Sequence, residues 1–145
     1  MAHHLSAVVH ELGGEPTLGR VLANDHDMRD AIREGFPPAV IERLMQASGL
    51  TLKELAASLD LSPRSLQRRR SGGRLAPFES DRLYRLARIV AIAKNYLGDG
   101  EKAMRWLKHP NRALGGVIPI DSLDTEIGAR AVEGVLGRIA YGGVS

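Results

Sequence analysis

The stretch LTLKELAASLDLSPRSLQRRRSGGR, Leu50 to Arg74, decides how the rest of the sequence is read. Leu52, Leu55, Ala56 and Leu59 recur at helical spacing on one face, and Leu61 and Leu66 supply the apolar residues with which a second helix packs across the first. Ala56 is the small side chain that lets the two helices cross. The turn falls near Asp60, where a left-handed backbone is needed and Asp tolerates it. Ser62 reads as the N-cap of the second helix and Pro63 as its first residue, a position where the missing N–H costs nothing. The pattern is a helix-turn-helix.

Its second helix carries Arg64, Gln67, Arg68, Arg69 and Arg70. Arg74 follows beyond Gly72-Gly73, and no acidic residue interrupts the series. With Leu66 inward, Arg64, Gln67 and Arg68 project from the part of a recognition helix that enters the major groove. Arg can grip guanine and Gln adenine through paired hydrogen bonds, each worth about 1 to 3 kcal/mol of discrimination. Arg69, Arg70 and Arg74, with Lys53 and the Thr51 hydroxyl, are the expected phosphate contacts, which fix register without reading bases. Charge is distributed to match. Residues 1–49 sum to −3, residues 50–90 to +5 and residues 91–145 to +1, so operator DNA is the expected polyanion and the motif is where it binds.

Outside the motif, 145 residues suffice for one compact core or two small ones, and are too few for a large enzyme with an elaborate cleft. The chain has no Cys, which rules out disulfides and Cys-ligated zinc and agrees with a reducing cytoplasm. The longest purely apolar run, Ile89 to Ala93, is far too short to span a membrane. The expected location is the cytoplasm, with no membrane partner. No cofactor is expected. His3 and His4 are adjacent and so do not share a helix face, which leaves no metal site. The inventory offers no nucleophile constellation and no phosphate-binding loop, and the chain is read as a non-enzyme.

Residues 1–19 read as a loosely held arm or short helix without a function. A helix from Val21 to Gly35 places Val21, Leu22, Met28, Ala31 and Ile32 inward, and another from Pro38 to Gly49 packs behind the motif. Together they make an all-α DNA-binding domain over 20–76. Pro77 then breaks the chain, and the longest helix, starting at Glu79 or Ser80, ends at Gly98. Its first stripe, Leu83, Leu86, Ala87, Val90, Ala93 and Leu97, is core. The second, Ile89, Ile92 and Tyr96, either lies in the same core or makes a homodimer contact, as exposed apolar patches do. Asp99 caps a helix from Gly100 to His109. A last helix from Asp124 or Thr125 has Ile127, Ala131, Val132, Val135, Leu136 and Ile139 as its apolar face, and carries Gly128, Gly134 and Gly137 at about 1 kcal/mol each relative to Ala.

The run Trp106-Leu107, Pro110-Asn111, Ala113-Leu114-Gly115-Gly116, Pro119-Ile120-Asp121, Leu123, Thr125-Glu126, Gly128-Ala129, Val132, Leu136, Arg138-Ile139 and Tyr141-Gly142 resembles the toxin-binding domain of Xre/MbcA/ParS-type antitoxins. The helix-turn-helix before it fits the Xre-like half of that family, and departs from the usual helix-turn-helix pattern at Arg69, where an apolar residue is favoured. The resemblance implies an Xre-like helix-turn-helix domain followed by a small helical dimerisation and toxin-binding domain over 77–145. It also implies a RES-domain toxin that consumes NAD as partner, and repression of the chain's own operon. By the same resemblance the toxin's active site would be obstructed by the last residues, among them Arg138, Tyr141, Gly142, Gly143, Val144 and Ser145. The runner-up is a stand-alone dimeric repressor without a toxin.

Overall fold

One long helix organises the molecule. In a computed structural model that describes residues 2–142, with side chains from His4 onward, α7 (Pro77–Leu97) runs through the middle and the other elements pack round it. Ahead of it come α1 (Ala2–Glu11), α2 (Gly14–Leu18), α3 (Asp25–Glu34), α4 (Ala39–Ser48), α5 (Leu52–Ser58) and α6 (Pro63–Arg70). After it come α8 (Gly100–Leu107), two 3-10 turns at Arg112–Leu114 and Pro119–Ser122, and α9 (Glu126–Gly142). The described residues contain no strand beyond one isolated bridge, Asn111 with Val117.

Local signals account for most boundaries. Asn24 caps α3 by accepting the N–H of Asp27, and Asp99 caps α8 by accepting those of Glu101 and Lys102. Gly49 and Gly98 close α4 and α7 in the left-handed conformation. α7 begins at Pro77, two residues before the first start read from the sequence, because Pro suits the first helical position and Glu79 supplies the cap by accepting the N–H of Ala76 at 2.8 Å. Its second stripe is the reason it needs partners all round. α1, α3, α8 and α9 all pack against it.

Three expectations are corrected by this packing. For residues 1–19 the loose-arm reading gives way to its short-helix alternative, because Leu5, Val8, Val9, Leu12 and Leu18 are buried and α1 lies along α7. Ile89 and Ile92 make no homodimer surface: at 0% and 4% exposure they belong to the chain's own core, and Tyr96 alone of that stripe stays half-exposed. Val21 and Ile127, expected inward, are 71% and 82% exposed. Val21 precedes the start of α3, and Ile127 sits on the first turn of α9, on the side facing away from α7.

Candidate functional site

The helix-turn-helix forms from α5 and α6 as its sequence dictates. Thr51 and Glu54 cap α5 reciprocally: the Thr51 hydroxyl accepts the N–H of Glu54 at 3.1 Å, and the Glu54 carboxylate accepts the N–H of Thr51 at 2.9 Å. That backbone bond, opposed by slight burial and helped by Lys108, holds the Glu54 carboxyl below its ordinary value. Asp60 takes the left-handed turn at φ 56° and is the one described non-glycine residue with positive φ. Ser62 caps α6 by accepting the N–H of Ser65 at 3.1 Å, and Leu55, Ala56, Leu59 and Leu66 are buried where the helices cross.

On α6, Arg64, Gln67 and Arg68 are exposed. Gln67 is partly engaged, its side-chain oxygen accepting from Arg70 Nη1 at 3.0 Å. The expected phosphate contacts separate into two groups. Lys53 is exposed, and Thr51 is exposed but committed to its cap. Arg69, Arg70 and Arg74 are tied into the fold. Arg69 Nε donates to Glu79 Oε2 at 2.7 Å, and Glu79 is 2% exposed. Arg70 pairs with Glu42, and Arg74 Nη1 donates to the carbonyl of Gly35 at 2.9 Å. The departure at Arg69 is thereby explained: where an apolar side chain would pack, a guanidinium reaches a buried carboxylate that also caps α7. Arg82 adds a bond from its Nη1 to the carbonyl of Leu59 at 2.6 Å, so α7 holds both helices of the motif. Gly35 is required beside it, since a Cβ there would lie 2.0 Å from the carbonyl oxygen of Leu75.

The C-terminal half is seated on α7 by two arginines that the sequence did not single out. Arg85 Nη1 donates to the carbonyls of Leu123 and Asp124, each at 3.2 Å, and its Nε to Glu126 at 3.3 Å. Arg88 Nη2 donates to Glu126 Oε2 at 2.9 Å, and its Nε lies 2.9 Å from Glu133. Burial by itself would raise the Glu126 carboxyl, but the bond and charge of Arg88, then Arg85, outweigh it and hold the group below its ordinary value. Burial pushes the neighbouring Tyr84 hydroxyl up. Thr125 caps α9, accepting the N–H of Gly128 at 3.0 Å. Gly128 has a second role. A Cβ on it would stand 1.8 Å from the carbonyl oxygen of Ser122, so only glycine lets α9 lie this close to the turn before it. Gly134 and Gly137 face no such backbone.

The far end of α9 is exposed but lies against α7. Arg138 is exposed, Tyr141 is 81% exposed with its ring edge-on to Tyr96 at 5.7 Å between centroids, and Gly142 is exposed. The remaining expected toxin contacts, Gly143, Val144 and Ser145, lie outside the described residues. Among the described residues no three His, Cys, Asp or Glu side chains gather to hold a metal ion, and no helix is long and apolar enough to cross a membrane.

Comparison with known proteins follows the two halves. Residues 27–88 match the family model of the antitoxin Xre-like helix-turn-helix domain, and residues 93–142 that of the antitoxin Xre/MbcA/ParS C-terminal toxin-binding domain. The chain is 34% identical over 131 residues to antitoxin Xre of Photorhabdus laumondii, covering 89% of this chain and 88% of that one. It is 33% identical over 138 residues to antitoxin Xre of Yersinia enterocolitica, covering 94% and 89%. A third relative, named Prs ADP-ribosylating antitoxin, from a Sphingobium species, is 27% identical over 130 residues, covering 83% and 82%. The chain belongs to the Xre/MbcA/ParS family of antitoxins, an Xre-like helix-turn-helix domain followed by a C-terminal toxin-binding domain.

Proposed function

We propose that this antitoxin neutralises a RES-domain toxin that consumes NAD, by placing the end of α9 and the residues after it in the toxin's active site. The observation that carries the reading is the contrast within α9. Its first half is clamped to α7 by Arg85 and Arg88 and to the preceding turn through Gly128, while its last turn presents Arg138 and Tyr141 to solvent. A seated helix with an exposed end is suited to meeting the mouth of a cleft. Tyr141 brings a flat ring with a hydroxyl, Arg138 a fixed positive charge that fits a phosphate or carboxylate pocket, and Gly142-Gly143 a slim backbone. The name of the Sphingobium relative joins an antitoxin to ADP-ribosylation, and ADP-ribosyl groups are drawn from NAD, which agrees with such a toxin.

The same chain represses its own operon in the cytoplasm, two protomers binding a two-fold site through Arg64, Gln67 and Arg68. Exposed arginines on a capped second helix support this part. If each protomer neutralises about four or five phosphates, log K against log salt should have a slope of roughly −7 to −9. Neutralisation is tested by deleting Tyr141 to Ser145 and assaying full-length and truncated chains against the purified toxin. The truncated chain should keep its helical content and DNA binding but protect NAD poorly. Equal protection by both chains would show that the domain surface inhibits without the tail.

A further inference from the structure

The recognition helix offers less free positive charge than its sequence suggests. Arg69, Arg70 and Arg74 are bound within the fold, which leaves Arg64 and Arg68 as the α6 cations with no acidic partner among the described residues. A second group of such cations lies on α8. Lys102 and Arg105 are exposed and enter no ion pair among the described residues, and with Trp106 and His109 they line a shallow depression of about 440 Å³. The opposite face of α8, Ala103, Met104 and Leu107, is buried against the core, so the direction of the basic face is fixed. Of the acidic residues nearby, Asp99 commits its carboxylate to the helix cap, and Glu101, exposed on the first turn of α8 one turn before Arg105, offsets one of these charges and leaves the face net positive.

The position of this face matters as much as its charge. Lys108, just past the end of α8, sits 3.3 Å from Glu54 Oε1, the oxygen that accepts the N–H of Thr51. The basic end of α8 is therefore attached to α5, beside Lys53. In helix-turn-helix complexes the second helix enters the groove while the first crosses the phosphate backbone. A cationic helix fixed to the first helix lies where the backbone continues beyond the bases that are read. From Lys102 to Arg105 the helical rise is about 4.5 Å, close to the axial step of about 3.4 Å between neighbouring phosphates of one strand.

We infer that the Lys102–Arg105 face of α8 is a second DNA-backbone contact, so that the domain matched as toxin-binding also grips operator DNA next to the motif. The inference rests on the reading of α6 as a DNA-reading helix. It assigns α8 to affinity and α6 to sequence preference, since phosphate contacts position a protein without telling bases apart.

The test uses the full-length chain, a duplex carrying the DNA immediately upstream of its gene and a random-sequence duplex of equal length, each titrated over a range of salt. Lys102→Gln combined with Arg105→Gln should make the log K against log salt slope shallower by about 2 per bound protomer. Both duplexes should be affected alike, with the ratio of their affinities unchanged. Arg64→Ala should instead lower that ratio. If the wild type binds the upstream duplex and the α8 variant binds with the same slope, the inference is overturned while the reading of α6 stands. If the wild type binds neither duplex, the α6 reading fails and this inference fails with it. An unchanged slope accompanied by lost capture of the co-expressed toxin would assign the α8 face to the toxin instead.

Discussion

The start and the middle of α7 hold their partners by opposite chemistry. At its start a buried carboxylate, Glu79, receives a half-exposed guanidinium from the recognition helix. Along its middle two half-buried guanidiniums, Arg85 and Arg88, receive carboxylates and carbonyls from α9 and the turn before it. Both arrangements fix a functional helix on the same rod, but they spend different residues. The first takes a cation away from the DNA surface. The second takes acidic groups away from α9, and leaves Arg138 at its outer end among exposed neutral neighbours. One helix thus sets the orientation of both halves.

The sharpest way to break one side of this comparison is Gly128→Ala. The new methyl would collide with the Ser122 carbonyl, and forced overpacking of this kind costs about 3 kcal/mol. Chemical denaturation should show that loss, and toxin capture should fall with it. Next in size is Glu79→Ala on the other side. It removes a charged hydrogen bond and the cap of α7 while leaving Arg69 able to reach water, so about 2 kcal/mol is expected. Base discrimination should weaken as well, because α6 loses the contact that sets its rotation. If discrimination were unchanged in a chain that still folds, Arg69 would be no positioning residue for DNA reading.

Acidification should separate the halves by a smaller margin. Glu126 is held below the usual carboxyl value of 4.5, so its ion pairs contribute fully above that value and are lost as pH falls through the lower, folded one. Below about pH 4.5 the stability of wild type should therefore drop, and Glu126→Gln should flatten that part of the pH profile. The smallest effect has the opposite sign. Gly137 has open space where a Cβ would stand, so Gly137→Ala should stabilise the chain by roughly 0.5 to 1 kcal/mol. A melting temperature that fell instead would mean that α9 needs glycine there for its own geometry.

The sequence by itself determined the helix-turn-helix, down to the left-handed Asp60, the Ser62 cap and the first-position Pro63, although not that Thr51 caps α5. These depend on residues within a few positions of each other, so caps and turn residues specify them locally. It determined the all-α class, the order of the main helices and, through a dense run of matched residues, the antitoxin family. Only the tertiary structure decided where the second stripe of α7 goes, since an apolar face signals burial without naming what buries it, and α1 lay too far back in the chain for periodicity to connect them. Only the structure decided which arginines are spent. Arg69 meets Glu79 ten residues on, Arg70 meets Glu42, and Lys108 meets Glu54, and nothing in the local pattern of one segment fixes the distance to the other. Charge can be counted along a chain, but which charges remain free depends on contacts that exist only once the chain has folded.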